Sequence, residues 1–358
     1  MPRKLKEVPN CTKDDVFANE ASIIMMTDYK GVKYLPLERR KYMICNKGYV
    51  TKQGYSCFNI CVANYLEFKN IMLDEIDLFL KGKGYEIEIL EDGRIIYSLL
   101  KNSLHMLDII GIPYEYKKIQ DGENAKEILS EIIKNEELVT VFLKTSCLKY
   151  NSIFMYENDV EHCVNVIGMD EHDRVLISDG YIPGYKASCF EGWVSFDELL
   201  NAWENANSDY VIFYLDKMAD QTTENKRDGM SDIFSLYIAD NEKVANCFID
   251  EANCLKDYDN DIRSSKLMEL NRYIRVGGFI TVKNYFLEIL NKYVSDKDIA
   301  EKYSNICKEW NVISCMLIKL IYVNVNSKYE EIICKMRKLF DSENEILSGI
   351  IKNNLLHL

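Results

Sequence analysis

"QGYSCFNICVANYLEF", residues 53–68, decides the reading of this chain. Apolar residues stand at 58, 60–63, 65, 66 and 68, and they cover nearly the whole circumference of a helix. A helix apolar all round belongs in a core. Ser56 reads as its N-cap, which puts Cys57 in the first turn. There a thiol meets the positive end of the helix dipole and N–H groups without intrahelical partners. Both favour the reactive thiolate. The same N–H groups suit a developing oxyanion. Cys61, one turn deeper, lacks these advantages and reads as packing. Gln53, four residues upstream of Cys57, reads as a second oxyanion donor.

A nucleophilic cysteine needs a base, and the chain has four histidines, at 105, 162, 172 and 357. His357 is at the tail, His172 lies in a polar turn, and His105 sits within an amphipathic helical pattern. His162 opens the strand "HCVNVIGM", whose alternation sets 162, 164, 166 and 168 on one face. The next strand, "RVLISD", returns after the turn "DEHD". With that turn centred on Glu171–His172, Val164 pairs with Asp179 and His162 with Tyr181. Asp179 is then the diagonal neighbour of His162, roughly 7–8 Å away between backbones and within side-chain reach. It suits the third role of a triad, fixing the imidazole and stabilising its cation. Taken singly, a Cys at a helix start and a His at a strand start are both more often structural than catalytic; their combination carries the reading. A metal site built from Cys57, Cys61, His162 and Cys163 is the competing functional reading. Structural zinc sites more often use short paired loop spacings, so no metal is expected.

At 358 residues the chain is long enough for two domains. Its 47% hydrophobic and 28% charged residues place it among soluble globular proteins. The longest apolar run, "VISCMLIKLIYV" (312–323), is interrupted by Lys319. It falls short of the ~18–20 residues of a membrane span. "MPRKLKEVPN" lacks the pattern of a secretory leader. The net charge of −13 lacks the basic footprint of a nucleic-acid or anionic-membrane binder. Neither partner is expected, whereas a small cationic amine remains compatible. Twelve cysteines, with no C-x-x-C, read mostly as small buried hydrophobes in a reducing cytoplasm.

The pattern changes near residue 220. Before it, helix and strand signals mix. "IDLFLKGKG" is a helix ending at Gly82, Glu86–Leu90 is a strand, and Asp92-Gly93 is a turn. "IIYSLLKNSLHMLDIIG" is a helix stopping at Gly111 and Pro113. "NAKEILSEIIKNEE" is another helix, followed by the strands "LVTVFLK" and, further on, "YVIFYL" (210–215). Between those strands, Ser195 and Glu198 form a capping-box signature ahead of a helix. The polar stretch 216–232 reads as a linker. Beyond it lie helical periods at 232–256, 262–275, 278–293, 297–322, 326–340 and 342–355, with a break at Gly277-Gly278. The fold class is α+β: a buried helix on a largely antiparallel sheet (residues 1–220), then an all-helical domain (221–358).

The order Gln, Cys, a second Cys four residues on, then "HCVNVIGMD…VLISDG" resembles the papain-like leader peptidases of bacteriocin exporters. By that resemblance Cys57 is the nucleophile, His162 the base, Asp179 the orienting acid and Gln53 the oxyanion residue. Two departures stand out. Gln53 is closer to the cysteine than in those peptidases, and Gly180 follows Asp179 where they have Pro. The stretches "CFNICVANYL…LDEIDLFLKGKG" and "YSNICKEWNVI" (303–313) resemble the butirosin-biosynthesis acyltransferase family over about residues 45 to 350. That family has a papain-like fold and a helical C-terminal domain. Papain-like amide synthases of the closthioamide kind, which join carrier-bound acyl units to a diamine, are similar. The resemblance implies an acyl group taken from the phosphopantetheine thioester of an acyl carrier protein onto Cys57, then passed to a small amine or diamine. It implies no cofactor of the enzyme's own. The basic stretch "PLERRKY" (36–42) is a candidate dock for the acidic carrier, and an ordinary solvated loop is the competing reading. A protease or thioesterase would use the same triad with water as acceptor. A silent binding protein is the non-enzymatic alternative, weakened by the presence of all three triad residues. Cys57→Ala is expected to abolish acylation by a thioester, read by intact-protein mass, while Cys61→Ala keeps most of it; the reverse pattern would move the nucleophile to Cys61.

Overall fold

The computed structural model describes residues 44–90, 95–119, 124–135, 137–150, 160–182, 188–208, 210–216, 229–275, 278–322 and 326–356. A short strand β1 (Ile44–Cys45) leads through a loop into α1 (Cys57–Phe68). Then come α2 (Glu75–Lys81), a small hairpin of β2 (Glu88–Ile89) and β3 (Ile95–Ile96), and α3 (Leu99–Ile110). After these follow β4 (Tyr114–Lys118), α4 (Ala125–Lys134), β5 (Val139–Lys144), β6 (Glu161–Met169), β7 (Arg174–Ile182), β8 (Ser188–Ser195), α5 (Phe196–Glu204) and β9 (Val211–Leu215). The remainder is helical: α6 (Met230–Cys254), α7 (Asn260–Arg275), α8 (Phe279–Tyr293), α9 (Lys297–Tyr322) and α10 (Asn326–Lys352).

The mixed helix-and-sheet organisation matches the expectation. The main sheet runs β4-β9-β5-β6-β7-β8, antiparallel throughout, and β1 adds to β6. Both faces are covered. Phe142, Cys163, Ile167, Leu176 and Phe213 pack against α1, with Leu78 of α2 and Met106 of α3 behind it. Val141, Val164, Val166 and Ile177 pack against Leu129 of α4 and Trp203 of α5. Such a sheet buries residues on both pleats, and β5 from Val139 to Leu143 and β6 from His162 to Met169 are buried without a break.

The helical region has its own core around Phe248, Phe279, Trp310 and Phe340, and that core extends to Ile76 and Phe79 of α2. Helix α2 is therefore shared between α1 on one side and the helical region on the other. At the centre of this core Lys283 of α8 and Glu343 of α10 form an ion pair, both fully buried. The Lys283 ammonium lies 4.3 Å from the Phe279 ring centroid and 5.5–5.9 Å from those of Phe340, Trp310 and Tyr237. The Glu343 carboxylate also accepts Tyr303 Oη at 2.5 Å, Tyr237 Oη at 2.9 Å and Asn241 Nδ2 at 3.1 Å.

Several expectations need correction. The apolar run from Ile95 feeds β3 before it feeds a helix. Its two β-branched residues pair with Glu88 and Ile89, so α3 begins only at Leu99. The strand expected over Glu86–Leu90 shortens to β2, and the Asp92-Gly93 turn lies outside the described residues. Two helices expected over 326–355 are one, α10. Its buried positions 329, 332, 336, 340, 343, 347 and 350 keep helical spacing straight across Asp341-Ser342, and no proline intervenes. Ser195 caps α5 by accepting Glu198 N–H at 3.1 Å. The Glu198 carboxylate turns instead to Lys149 N–H, so the capping box is only half made. Among the ten cysteines described as free, only Cys61, Cys163 and Cys307 are buried. Cys189, Cys247, Cys254, Cys315 and Cys334 are exposed, the last four on outward faces of α6, α9 and α10. Of the linker, 217–228 lies outside the described residues, as does "PLERRKY"; Met230–Asp232 already belongs to α6.

Among the described residues no helix is long and apolar enough to cross a membrane. Breaking a buried ion pair from one side strands the other charge. Lys283→Met is therefore expected to lower stability by about 3–5 kcal/mol, measured as a shift in urea midpoint at unchanged slope. A loss below about 1 kcal/mol would mean that Glu343 is satisfied without Lys283.

Candidate active site

Helix α1 is buried from Phe58 to Leu66, and only its first residue, Cys57, keeps partial exposure among those of its first turn. Ser56 is the N-cap by backbone conformation, but its side chain makes no capping bond. The two amides just before the helix are held instead from α2. Glu75 accepts Tyr55 N–H at 3.0 Å and Ser56 N–H at 2.8 Å. Helix α2 can spare Glu75 because Asp74 and Asp77 form its own capping box.

The loop before Cys57 is held along its length. Thr51 Oγ1 donates to Ser178 Oγ at 2.8 Å or to Glu191 Oε2 at 2.6 Å, and Asn64 Nδ2 donates to Lys52 O at 3.3 Å. Gly54 N–H donates to Gly180 O at 2.9 Å. Both glycines are required by close approach. A Cβ on Gly54 would stand 2.5 Å from Glu75 Oε2, and one on Gly180 would stand 2.8 Å from Lys52 O. Gly180 thus lets the loop before α1 lie directly on β7. Gln53 stands exposed on this loop, apart from the contacts among Cys57, His162 and Asp179.

His162 and Asp179 are brought together by strand register. Next to the β6–β7 turn, Met169 faces Val175 and Gly168 faces Leu176. Further on, Val166 faces Ile177 and Asn165 faces Ser178, so Ile167 is an extra residue on β6. Without this bulge, Asp179 would fall opposite Asn165, on the pleat facing away from His162. A one-residue shift flips every side chain. The bulge restores the pairing expected from the sequence, although the turn itself centres on His172 rather than on Glu171–His172.

His162 and Asp179 are both buried. His162 Nε2 lies 2.9 Å from Asp179 Oδ2, a charge contact set off the ideal hydrogen-bond line. Asp179 is itself fixed: Tyr181 N–H donates to Oδ1 at 3.0 Å and Tyr150 Oη to Oδ2 at 2.7 Å. Tyr150 stacks on Phe190 with ring centroids 4.5 Å apart. With Nε2 on the acid, Nδ1 is the nitrogen left for Cys57, and the imidazole hydrogen-bonds to that thiol. His172 and His105 are exposed; His357 lies outside the described residues.

These contacts set the charges. The Cys163 thiol hydrogen-bonds to Cys57 and draws its pKa down; burial opposes this, and the His162 contact adds to the lowering. Burial pulls His162 down, but the Asp179 carboxylate and Cys57 outweigh it and push His162 up to about 10. The favoured state is a thiolate–imidazolium pair. Burial raises Cys61 and Cys163 well above the ordinary thiol range, so both stay protonated. Cys61 Sγ donates to Cys163 O at 3.6 Å, and Asn165 Nδ2 donates to Cys61 O at 2.9 Å, which seats α1 on β6. Among the described residues no group of three or more His, Cys, Asp or Glu is arranged to hold a metal ion.

Sequence reasoning missed Glu75, Tyr150 and Cys163. Glu75 reads as an ordinary acid in the first turn of α2. Tyr150 sits beside no motif, and Cys163 enters the sequence reading only as a candidate metal ligand, not as a partner of the Cys57 thiol. Only the adjacency of Cys163 to His162 could have singled it out. No protein-family model matches this chain, and no curated protein is significantly similar to it.

The raised His162 pKa lies above the ordinary imidazole value of 6.5. Its contribution to stability is fully present below pH ~6.5 and is lost as pH rises through about 10. Acylation of Cys57 by a model thioester should likewise hold its plateau until pH nears 10 and then fall. Asp179→Asn should bring that limb down toward the ordinary His range in a pH–rate profile.

Proposed function

We propose that this chain is an amide-forming acyltransferase, with a papain-like catalytic part over residues 1–220 and a helical part over 221–358. One observation carries the reading: a partly exposed thiol at the start of a buried helix touches a buried imidazole backed by a buried carboxylate. That is the arrangement of an activated nucleophile with its base and orienting acid.

In this reading the Cys57 thiolate attacks the carbonyl carbon of an acyl thioester on the phosphopantetheine of an acyl carrier protein. The tetrahedral oxyanion is met by N–H groups at the start of α1. The carbon–sulfur bond to the carrier breaks, and the leaving thiolate takes the proton of the His162 imidazolium. A small amine or diamine then attacks acyl-Cys57. Its proton passes to neutral His162, the amide leaves, and the thiolate–imidazolium pair is restored. Atoms and charge balance without a cofactor resident in the enzyme.

Transfer to an amine requires that water be kept from the acyl-enzyme. The helical region supports this assignment because it grips the nucleophile loop itself. Tyr55 Oη donates to Glu288 Oε1 of α8 at 2.7 Å, and Tyr285 Oη donates to Glu75. The resemblance to the butirosin-biosynthesis acyltransferases and papain-like amide synthases points the same way.

The test is intact-protein mass spectrometry after mixing with model acyl thioesters, followed by water or amines. The expected result is a mass gain of one acyl group at Cys57, stable in buffer and released by amine. Rapid release by water alone would make the protein a thioesterase or protease with the same triad. An acyl group retained by Cys57→Ala would overturn the mechanism.

A further inference from the structure

The buried carboxylate of Glu75 takes no part in the chemistry described above, yet it is tied both to the backbone just before Cys57 and to α8 of the helical region. It accepts Tyr55 N–H and Ser56 N–H, the last two amides before Cys57. It also accepts Tyr285 Oη from α8 at 2.5 Å. Tyr285 Oη in turn accepts Asn59 Nδ2 of α1 at 3.0 Å, and Asn59 Oδ1 accepts Ser103 Oγ of α3 at 2.5 Å. A continuous chain of buried side chains therefore links α3, α1, α8 and α2, ending on the backbone that delivers Cys57. Tyr285 is locked by the Phe79 ring, whose centroid lies 4.4 Å from its own. Gly54 leaves the space that the carboxylate fills.

We propose that Glu75 is a positioning residue for Cys57, and that Tyr285 makes this positioning depend on the helical region. By engaging the Tyr55 and Ser56 amides, the carboxylate fixes the peptide planes that enter α1. The Cys57 N–H, the first of the helix, is thereby left pointing at the place where an acyl oxyanion develops. The effect falls on oxyanion stabilisation rather than on the thiolate, whose partners are His162 and Cys163. The inference rests on Cys57 being an acyl-accepting nucleophile.

The carboxylate has three donors to satisfy, and a protonated carboxyl loses acceptor capacity toward them. Burial raises Glu75, against the pull of Tyr285 and the two amides, to about 7. The titratable groups that face it are Cys57 and Cys61 from α1 and Tyr285 from α8, with Glu288 reached through Tyr55. A loosening of the loop as pH falls through about 7 follows.

The test separates two reactions of the same sulfur in the full-length protein. Alkylation by iodoacetamide develops no oxyanion; acylation by p-nitrophenyl acetate does. Glu75→Gln and Tyr285→Phe are expected to slow acylation on the order of tenfold or more while alkylation stays within about twofold. In the wild type acylation should fall as pH drops through about 7 while alkylation does not, and Glu75→Gln should lack that inflection. Wild-type acylation rates in both variants would overturn the proposal. So would equal losses in both reactions, which mark a general disturbance of the thiolate or the fold. Release of the acetyl group by water in preference to amine would count against amide synthesis while leaving this comparison intact.

Discussion

A buried imidazole stays neutral unless a carboxylate offsets the loss of water around its charged form. Asp179 supplies that charge to His162 at 2.9 Å, and the rest of the site depends on it. The imidazolium favours a thiolate on Cys57, and the Cys163 thiol adds a second hydrogen bond to the same sulfur. The carboxylate keeps its aim because Tyr150 and the Tyr181 amide use its remaining acceptor positions. Remove the acid and the imidazole returns toward neutrality, with the thiolate following.

Two backbone devices deliver these groups. The Ile167 bulge shifts β6 by one residue and puts Asp179 on the pleat of His162. The Gly54–Gly180 contact then lays the nucleophile loop against the residue that follows Asp179. Cys57 comes from a segment far in sequence from the β6–β7 hairpin that carries His162 and Asp179, yet their supports are shared. Helix α8 extends that sharing to the helical region. Lys283 anchors it in the aromatic core, and Tyr285, two residues on, reaches the Glu75 carboxylate.

Much of this is legible in residues 53–68 and 162–179. An all-apolar helix, a serine before it and a thiol in its first turn are local patterns, so the sequence carries them directly. The His162–Asp179 pairing is legible because hairpin strands have a period of two. The bulge is only hinted at: Gly168 in "NVIGMD" is a residue type that marks bulges within strands, but it fixes neither the extra residue nor the register. The expected register agreed near the site because an offset at the turn and the extra residue cancel. Glu75 was hidden for a different reason. Its local neighbourhood, "LDEIDLF", describes a helix start, while its burial comes from Tyr285, about two hundred residues away. The single helix of α10 was split in reading because Asp341-Ser342 resembles a cap, although its buried spacing continues unbroken.

The central claim is that Cys57 rests as a thiolate paired with a charged His162. Ultraviolet absorbance near 240 nm, where thiolates absorb and thiols do not, tests it when Cys57→Ala is subtracted from wild type across pH. The account predicts a one-thiolate difference already present at mildly acidic pH and unchanged through neutrality. A difference that appears only as pH approaches the ordinary thiol range of about 8.5 would contradict it.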